Sequence, residues 1–201
     1  MSIRKENSRM GFILAGGQGS RMGADKAFLQ FGGSTLLERA IATLRPVCEL
    51  AILGDPAKFS SYGTVIEDVY RSRGPLAGIH AALIHSSAEL NLMLAVDMPL
   101  VSTELLAFLF ASAERTDALV TVPHSARGFQ PLCAVYRRPF ATTAEQALKA
   151  GKNKIDALFA AIPVRVIEGE ELVSAGFSDQ AFLNLNTPED LTRIGRDPVE
   201  S

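Results

Sequence analysis

Short apolar runs alternate with amphipathic stretches along most of the chain, and the alternation predicts its elements. Met10–Leu14 reads as a short apolar strand. From Thr35 to Leu44, residues Leu36, Leu37, Ala40, Ile41 and Leu44 recur on one helical face. Leu50–Leu53 and Thr64–Glu67 read as the next two strands. Pro75 suits the first position of a helix, and Leu76, Ile79, Ala82 and Leu83 line one side of the stretch that follows, to Ser86. Leu90–Val96 is an apolar strand, and Ser102 can cap a helix over Thr103–Ala113. Strands at Ala118–Val122 and Leu132–Tyr136, helical patterns at Ala141–Lys149 and Lys154–Ala161, and a strand at Val164–Ile167 complete the pattern. Thr187, Pro188 and Asp190 form a further helix-capping signature. Helices separating continuous apolar strands predict an α/β fold, a mainly parallel open sheet covered on both faces. No repeat or linker interrupts it, so residues 1–201 are expected to form a single domain, its core about 10–194.

Composition narrows the class. With 47% hydrophobic and 21% charged residues, the 201-residue chain is globular rather than disordered. A formal net charge of −2 gives no general basic field, which argues against nucleic acid as a partner. Cys48 and Cys133 lack metal-ligand spacing and read as reduced packing residues. The polar first residues do not resemble a secretory signal, and no apolar run reaches about 18 residues, so no membrane association is expected. The default is a cytoplasmic enzyme.

Chemistry concentrates at strand ends, where open sheets of this kind bind ligands. The first strand runs into L-A-G-G-Q-G-S-R-M-G-A-D-K, Leu14 to Lys26. Glycines let the backbone approach a polyanion and turn N–H groups toward it, and Arg21 and Lys26 supply matching charge. A plain glycine-rich turn would not need two cations. The loop is not a Walker A motif, because Lys26 is followed by Ala27 with no glycine before it; nor is it the dinucleotide fingerprint, because Met22 stands where its third glycine belongs. Asp68 follows Thr64–Glu67. Asp97, in Asp97-Met98-Pro99, follows Leu90–Val96. Mg²⁺ typically uses one or two carboxylates and keeps its other positions for water and phosphate, which a lone strand-end aspartate suits. A turn aspartate is the alternative, though Ser102 is already placed to cap the next helix.

This loop resembles the opening loop of the molybdenum cofactor guanylyltransferase family (molybdopterin-guanine dinucleotide biosynthesis protein A), which joins a GMP unit to molybdopterin. Further segments carry the same resemblance: Glu67-Asp68 followed by Gly74-Pro75-Leu76-Ala77-Gly78, the Asp97-Met98-Pro99 turn, and Phe182-Leu183-Asn184-Leu185-Asn186-Thr187-Pro188-Glu189-Asp190-Leu191. It runs from Met10 to about Ile194 and implies a Rossmann-like nucleotidyltransferase fold. The implied reaction transfers GMP from MgGTP to molybdenum-bound molybdopterin and releases pyrophosphate. The resemblance places Leu14, Ala15, Gly16, Gly17, Lys26, Asp68 and Asp97 at the nucleotide, with Asp97 on Mg²⁺. Arg21 and Lys26 would stabilise charge on the departing pyrophosphate, with backbone N–H groups of Gly16 to Ser20 assisting.

For the pterin half, Asn184 and Asn186 share one side of an extended segment. They could bind a pterin edge, complete a metal shell, or cap the helix that Thr187 already caps. Gln130, in Arg127-Gly128-Phe129-Gln130-Pro131-Leu132, is a further pterin candidate from the resemblance. His80, in a helical pattern, reads as a packed or surface histidine. Transient contacts with other cofactor-biosynthesis proteins or molybdoenzymes are also implied. One position departs from the family: an asparagine often stands at the second strand's end, where this chain has Gly54. The related cytidylyl branch tends to carry alanine in place of Gly16 and phenylalanine in place of Met22, so the missing Cβ at Gly16 is expected to leave room for guanine. The alternatives are that cytidylyl enzyme, a sugar-phosphate relative, or a nucleotide-binding regulator without turnover. Lys26 and Asp97 speak against the last, since binding alone needs neither.

Overall fold

The computed structural model describes residues 9–16, 26–67, 69–70 and 73–185. Within them the elements run β1 (Arg9–Leu14), a 3-10 helix at Lys26–Phe28, β2 (Gln30–Phe31), β3 (Ser34–Thr35), α1 (Leu36–Leu44), β4 (Glu49–Leu53), α2 (Pro56–Phe59) and β5 (Val65–Ile66). There follow α3 (Pro75–His85), β6 (Leu90–Ala95), α4 (Thr103–Glu114), β7 (Val120–Ser125), β8 (Gly128–Phe129) and β9 (Cys133–Arg137). The last are α5 (Phe140–Lys149), a 3-10 helix at Asp156–Ala161, β10 (Val164–Glu168), α6 (Gly169–Ser174) and a 3-10 turn at Asp179–Phe182.

Local chemistry sets the element ends. The two-residue turn between β2 and β3 has Gly32 and Gly33 at φ 60° and 88°, the left-handed pair that a tight hairpin needs. Thr35 then starts α1 with a reciprocal cap: its Oγ1 accepts the Glu38 N–H at 3.2 Å, and Glu38 Oε2 accepts the Thr35 N–H at 2.8 Å. Such a cap contributes about 1 kcal/mol. The backbone bond from Thr35 leads the causes that hold the Glu38 carboxyl below its usual range. α3 begins at Pro75, which has no N–H to leave unsatisfied, and Ser102 caps α4 through the Leu105 N–H.

The main sheet has the order β10-β7-β9-β6-β1-β4-β5, with β8 pairing on β7. β1 pairs parallel to both β4 and β6, and β7 to β10. The expected parallel sheet is interrupted by β8 and β9, which run antiparallel to their neighbours. The reason is connectivity: β7 reaches β9 through the β8 hairpin, and only a helical crossover would have kept the direction. Ile13, Leu92 and Leu94 pack under α1 and α4 on one face, and Phe12, Met93 and Ala134 under α3 and α5 on the other. Both faces are therefore covered, as the alternation predicted. The structure adds α2, α6 and the β2–β3 hairpin, which are too short for periodicity to show. Among the described residues no helix is long and apolar enough to cross a membrane. Cys48 and Cys133 are free thiols, and burial pushes each up to about 12, outweighing Arg9 near Cys48.

Candidate active site

β1 is the first strand of the sheet yet lies inside it, with β4 on one side and β6 on the other. The chain's path thus diverges at its carboxyl end, which opens a crevice there. Register puts Leu14 beside both Leu53 and Ala95. Asp97, two residues beyond β6, meets Lys26 in this crevice: Lys26 Nζ lies 3.3 Å from Asp97 Oδ2, both side chains about a quarter exposed at 25% and 21%. They are 71 positions apart in sequence.

The Asp97 main chain is fixed from several directions. Val96 N–H donates to Leu14 O at 3.2 Å, and Met98 N–H to Ala95 O at 3.3 Å. Leu185 N–H donates to Asp97 O at 2.8 Å. Arg39, from α1, donates through Nε to Pro99 O at 2.6 Å and lays its guanidinium over Phe31. The carboxylate is therefore held on a rigid turn while remaining accessible. Arg39 and the Leu185 N–H escaped the sequence reading, because each acts through a backbone partner far along the chain.

Ala15 is buried and Gly16 exposed beyond β1. Both N–H groups donate to Leu53 O, at 3.1 and 3.0 Å. The Gly16 N–H is thus spent within the sheet, which corrects the expectation that it faces phosphate. The space beside Gly16 also differs from expectation. A Cβ there would come within 3.3 Å of Gly54 Cα and 3.5 Å of Leu53 O, so the missing side chain makes way for the neighbouring backbone. Gly54 has its own reason to lack a Cβ, which would sit 2.7 and 2.8 Å from two ring carbons of Phe59. Phe59 is buried and packs against the exposed Phe28 ring at 5.7 Å, two residues from Lys26. An asparagine at position 54 would collide with that ring.

Of the remaining predicted residues, Gly17, Arg21, Asp68 and Asn186 lie outside the described residues. Asn184 is exposed in a segment without regular secondary structure, immediately before the Leu185 bond to Asp97. That places it beside the crevice. Gln130 is buried, and its Nε2 donates to Ser125 Oγ at 2.9 Å and Gly128 O at 3.2 Å, bracing the β7–β8 hairpin. His80 is buried in α3, edge-on to Tyr70 at 5.3 Å. Desolvation lowers its pKa, and the Glu145 charge opposes the shift.

A profile of the MobA-like NTP transferase domain matches residues 11–166. A protein of Pelotomaculum thermopropionicum named "Probable molybdenum cofactor guanylyltransferase" is 33% identical over 186 residues, 91% of this chain and 90% of its own length. The chain belongs to the MobA-like NTP transferase family. A "Molybdenum cofactor guanylyltransferase" of Desulfosudis oleivorans is 32% identical over 188 residues, 91% of this chain and 92% of its own. The crystal structure of molybdopterin-guanine dinucleotide biosynthesis protein A from Archaeoglobus fulgidus superposes with TM-score 0.80 at 30% identity, over 92% of this chain and 95% of that one. This MobA-like chain is therefore an enzyme, a nucleotidyltransferase, with the fold of its family. Among the described residues no group of three or more His, Cys, Asp or Glu is placed to hold a metal ion by itself. The Asp97 carboxylate, partly exposed and facing a cation, has the hard-oxygen chemistry of a divalent-metal ligand that shares its ion with substrate phosphates.

Proposed function

We propose that this enzyme transfers GMP from MgGTP to molybdenum-bound molybdopterin, forming the guanine dinucleotide cofactor and pyrophosphate. The observation that carries the reading is the Lys26–Asp97 pair at the divergence of β1, β4 and β6. A cation and a carboxylate 3.3 Å apart match the two charges of a metal–nucleotide complex, phosphate for Lys26 and Mg²⁺ for Asp97. The names of the relatives supply the base and the acceptor.

In the reaction the acceptor's terminal phosphate oxygen bonds to the α-phosphorus of GTP while the bond to the bridging oxygen of pyrophosphate breaks. The nucleophile is already anionic, so no strong general base is needed. Catalysis comes from alignment and charge compensation. Lys26, with Arg21, stabilises negative charge as it moves onto pyrophosphate. Asp97 would hold Mg²⁺, which would supply charge neutralisation to the nucleotide's phosphates. The guanine lies against Leu14–Gly17 and the glycine pair 16 and 54, and Asp68 contacts the guanosine. Asn184 and Asn186 are the candidates for binding the acceptor's pterin. The enzyme acts in the cytoplasm, where GTP is supplied and where proteins of cofactor biosynthesis or molybdoenzymes can deliver and receive the pterin.

The test is turnover and thermal stabilisation with each of the four MgNTPs and purified molybdenum-bound molybdopterin. GTP should be preferred over CTP and ATP, because a site built to pair polar base edges rejects analogues steeply. Equal use of CTP and GTP would remove the guanylyl assignment and leave the nucleotidyltransferase one.

A further inference from the structure

The sheet edge that carries the crevice continues past it. β6, β7 and β10 all run in the same direction, since β9 is antiparallel to both β6 and β7 and β10 is parallel to β7. Their carboxyl ends therefore face the same side as Asp97. At the far half of this edge, His124 of β7 stands opposite Glu168 of β10 in register, and His124 Nδ1–H donates to Glu168 Oε2 at 2.9 Å. His124 stacks on Phe129 of β8, with ring centroids 4.6 Å apart and planes inclined by 36°. Phe129 is backed edge-on by Phe159 at 5.3 Å. The result is a partly exposed ring face with a carboxylate beside it.

Their bond links β7 to β10 at the end of the sheet, and the Glu168 side chain does not serve the helix that follows. Glu168 occupies the N-cap position of α6, where serine, threonine or aspartate would bond the free N–H groups, yet its side chain makes no capping bond. It turns to His124 instead and remains 64% exposed. The hairpin beneath is braced by Gln130 on Ser125 and Gly128, and by Asp179, which accepts the Ala126 N–H at 3.2 Å. A braced, partly exposed, aromatic and anionic corner stands there.

We infer that His124, Phe129 and Glu168 form the subsite for the 2-amino-4-oxopyrimidine ring of the acceptor. The assignment rests on the acceptor proposed above. That ring presents two adjacent N–H donors on one edge, which a carboxylate accepts, and a flat face that stacks on aromatic rings. The acceptor is a rigid fused-ring system with its reacting phosphate at one end and its pyrimidine at the other. With the phosphate at Asp97, the pyrimidine must lie some way along the edge. β7 is two strand spacings from β6 and β10 three, about 10 and 14 Å. The other direction, toward β1 and β4, is taken by the guanine. Guanine carries the same donor edge, so the test has to separate the two sources.

The probe is fluorescent 6-hydroxymethylpterin, titrated against the whole wild-type protein and against Glu168→Gln, with GTP titrated in parallel. Lumazine, which replaces the 2-amino donor by an oxygen, serves as the contrast. Wild type should bind the pterin at least about tenfold more tightly than lumazine, the worth of a charge-assisted bond. Glu168→Gln should lose that preference, with its GTP affinity within about twofold of wild type. His124→Gln should weaken the pterin in the same direction, and both variants should melt near wild type because the sites are exposed. An unchanged pterin preference in Glu168→Gln overturns the subsite and leaves the acceptor reading standing. Loss of GTP binding with the pterin retained also overturns it, assigning the corner to guanine. A wild-type protein that binds no pterin overturns the subsite and the proposed acceptor together.

Discussion

Replacing Gly54 by alanine tests the packing behind the crevice. The new methyl would lie 2.7 and 2.8 Å from two carbons of the Phe59 ring, closer than carbon atoms approach. Phe59 is 1% exposed and cannot swing into solvent without leaving the core. Overpacking of this kind costs about 1–3 kcal/mol. Alanine returns about 0.4–1 kcal/mol by restricting the unfolded chain, so the net loss should be about 1–2 kcal/mol. For a chain of this length that lowers the melting temperature by about 2–8 °C. Phe59→Ala alone empties a buried ring site and should cost about 3–5 kcal/mol. In the double variant the methyl enters space that the ring has vacated, so the pair should be no less stable than Phe59→Ala alone. Equilibrium urea unfolding of the four proteins reads the coupling, expected to favour the double variant by about 1–3 kcal/mol. GTP affinity should fall in Gly54→Ala and recover in part in the pair, because the Gly16–Gly54 contact is relieved. Strictly additive stabilities would refute the collision, and with it the account of why asparagine is missing at this position.

Asp97→Asn should abolish turnover and weaken MgGTP binding while leaving metal-free nucleotide binding intact; turnover within a few-fold of wild type would refute the metal assignment. Lys26→Ala should lower kcat by about 10²–10³ with a smaller effect on GTP affinity, because its charge matters most once pyrophosphate is leaving; a raised KM at normal kcat would make it a ground-state contact. Stability should fall as pH rises from 9 toward 12. The unfolded chain ionises the Cys133 thiol near its ordinary 9.0, whereas the folded protein keeps it protonated to about 12, a loss of about 1.4 kcal/mol per pH unit in that window. Cys133→Ala should remove that share of the decline measured by urea unfolding at pH 8–10.5, leaving the share from Cys48, which is held protonated in the same way.

Much of the fold was legible because it depends on periodicity and caps. β1, α1, α3, β6 and α4 appear where apolar runs, Pro75 and Ser102 place them. The direction of β9 was not legible. It depends on whether Val122 to Leu132 holds a crossover or a hairpin, and the two-residue β8 is too short to leave a periodic trace. α2 did leave a signal, in Asp55-Pro56: the Asp55 carboxylate accepts the Ala57 N–H at 2.9 Å, and Pro56 occupies the first helical position. From the candidate site, the sequence showed which charged residues end the strands. It could not show that the Gly16 N–H is used by Leu53, or that Gly54 is emptied by Phe59, because both follow from how β1, β4 and α2 sit against one another.

The same dependence explains how one aspartate can be both exposed and held still. Asp97 lies two residues beyond a strand buried along its whole length, so its backbone cannot shift far without moving β6. Lys26 reaches it from just ahead of the β2–β3 hairpin, Arg39 from α1 through Pro99, and Leu185 from the far end of the described chain. Leu185 and Phe182 are 1% and 2% exposed and belong to the same core as α1 and α4. The bond from Leu185 is therefore anchored in that core. Phosphoryl transfer by alignment requires placement to a fraction of an ångström. Here that placement is distributed over segments spanning nearly the whole described chain, so no fragment carries it. Loosening the core under Leu185 should reach the reaction through Asp97 before it reaches the stability of β1 and β6.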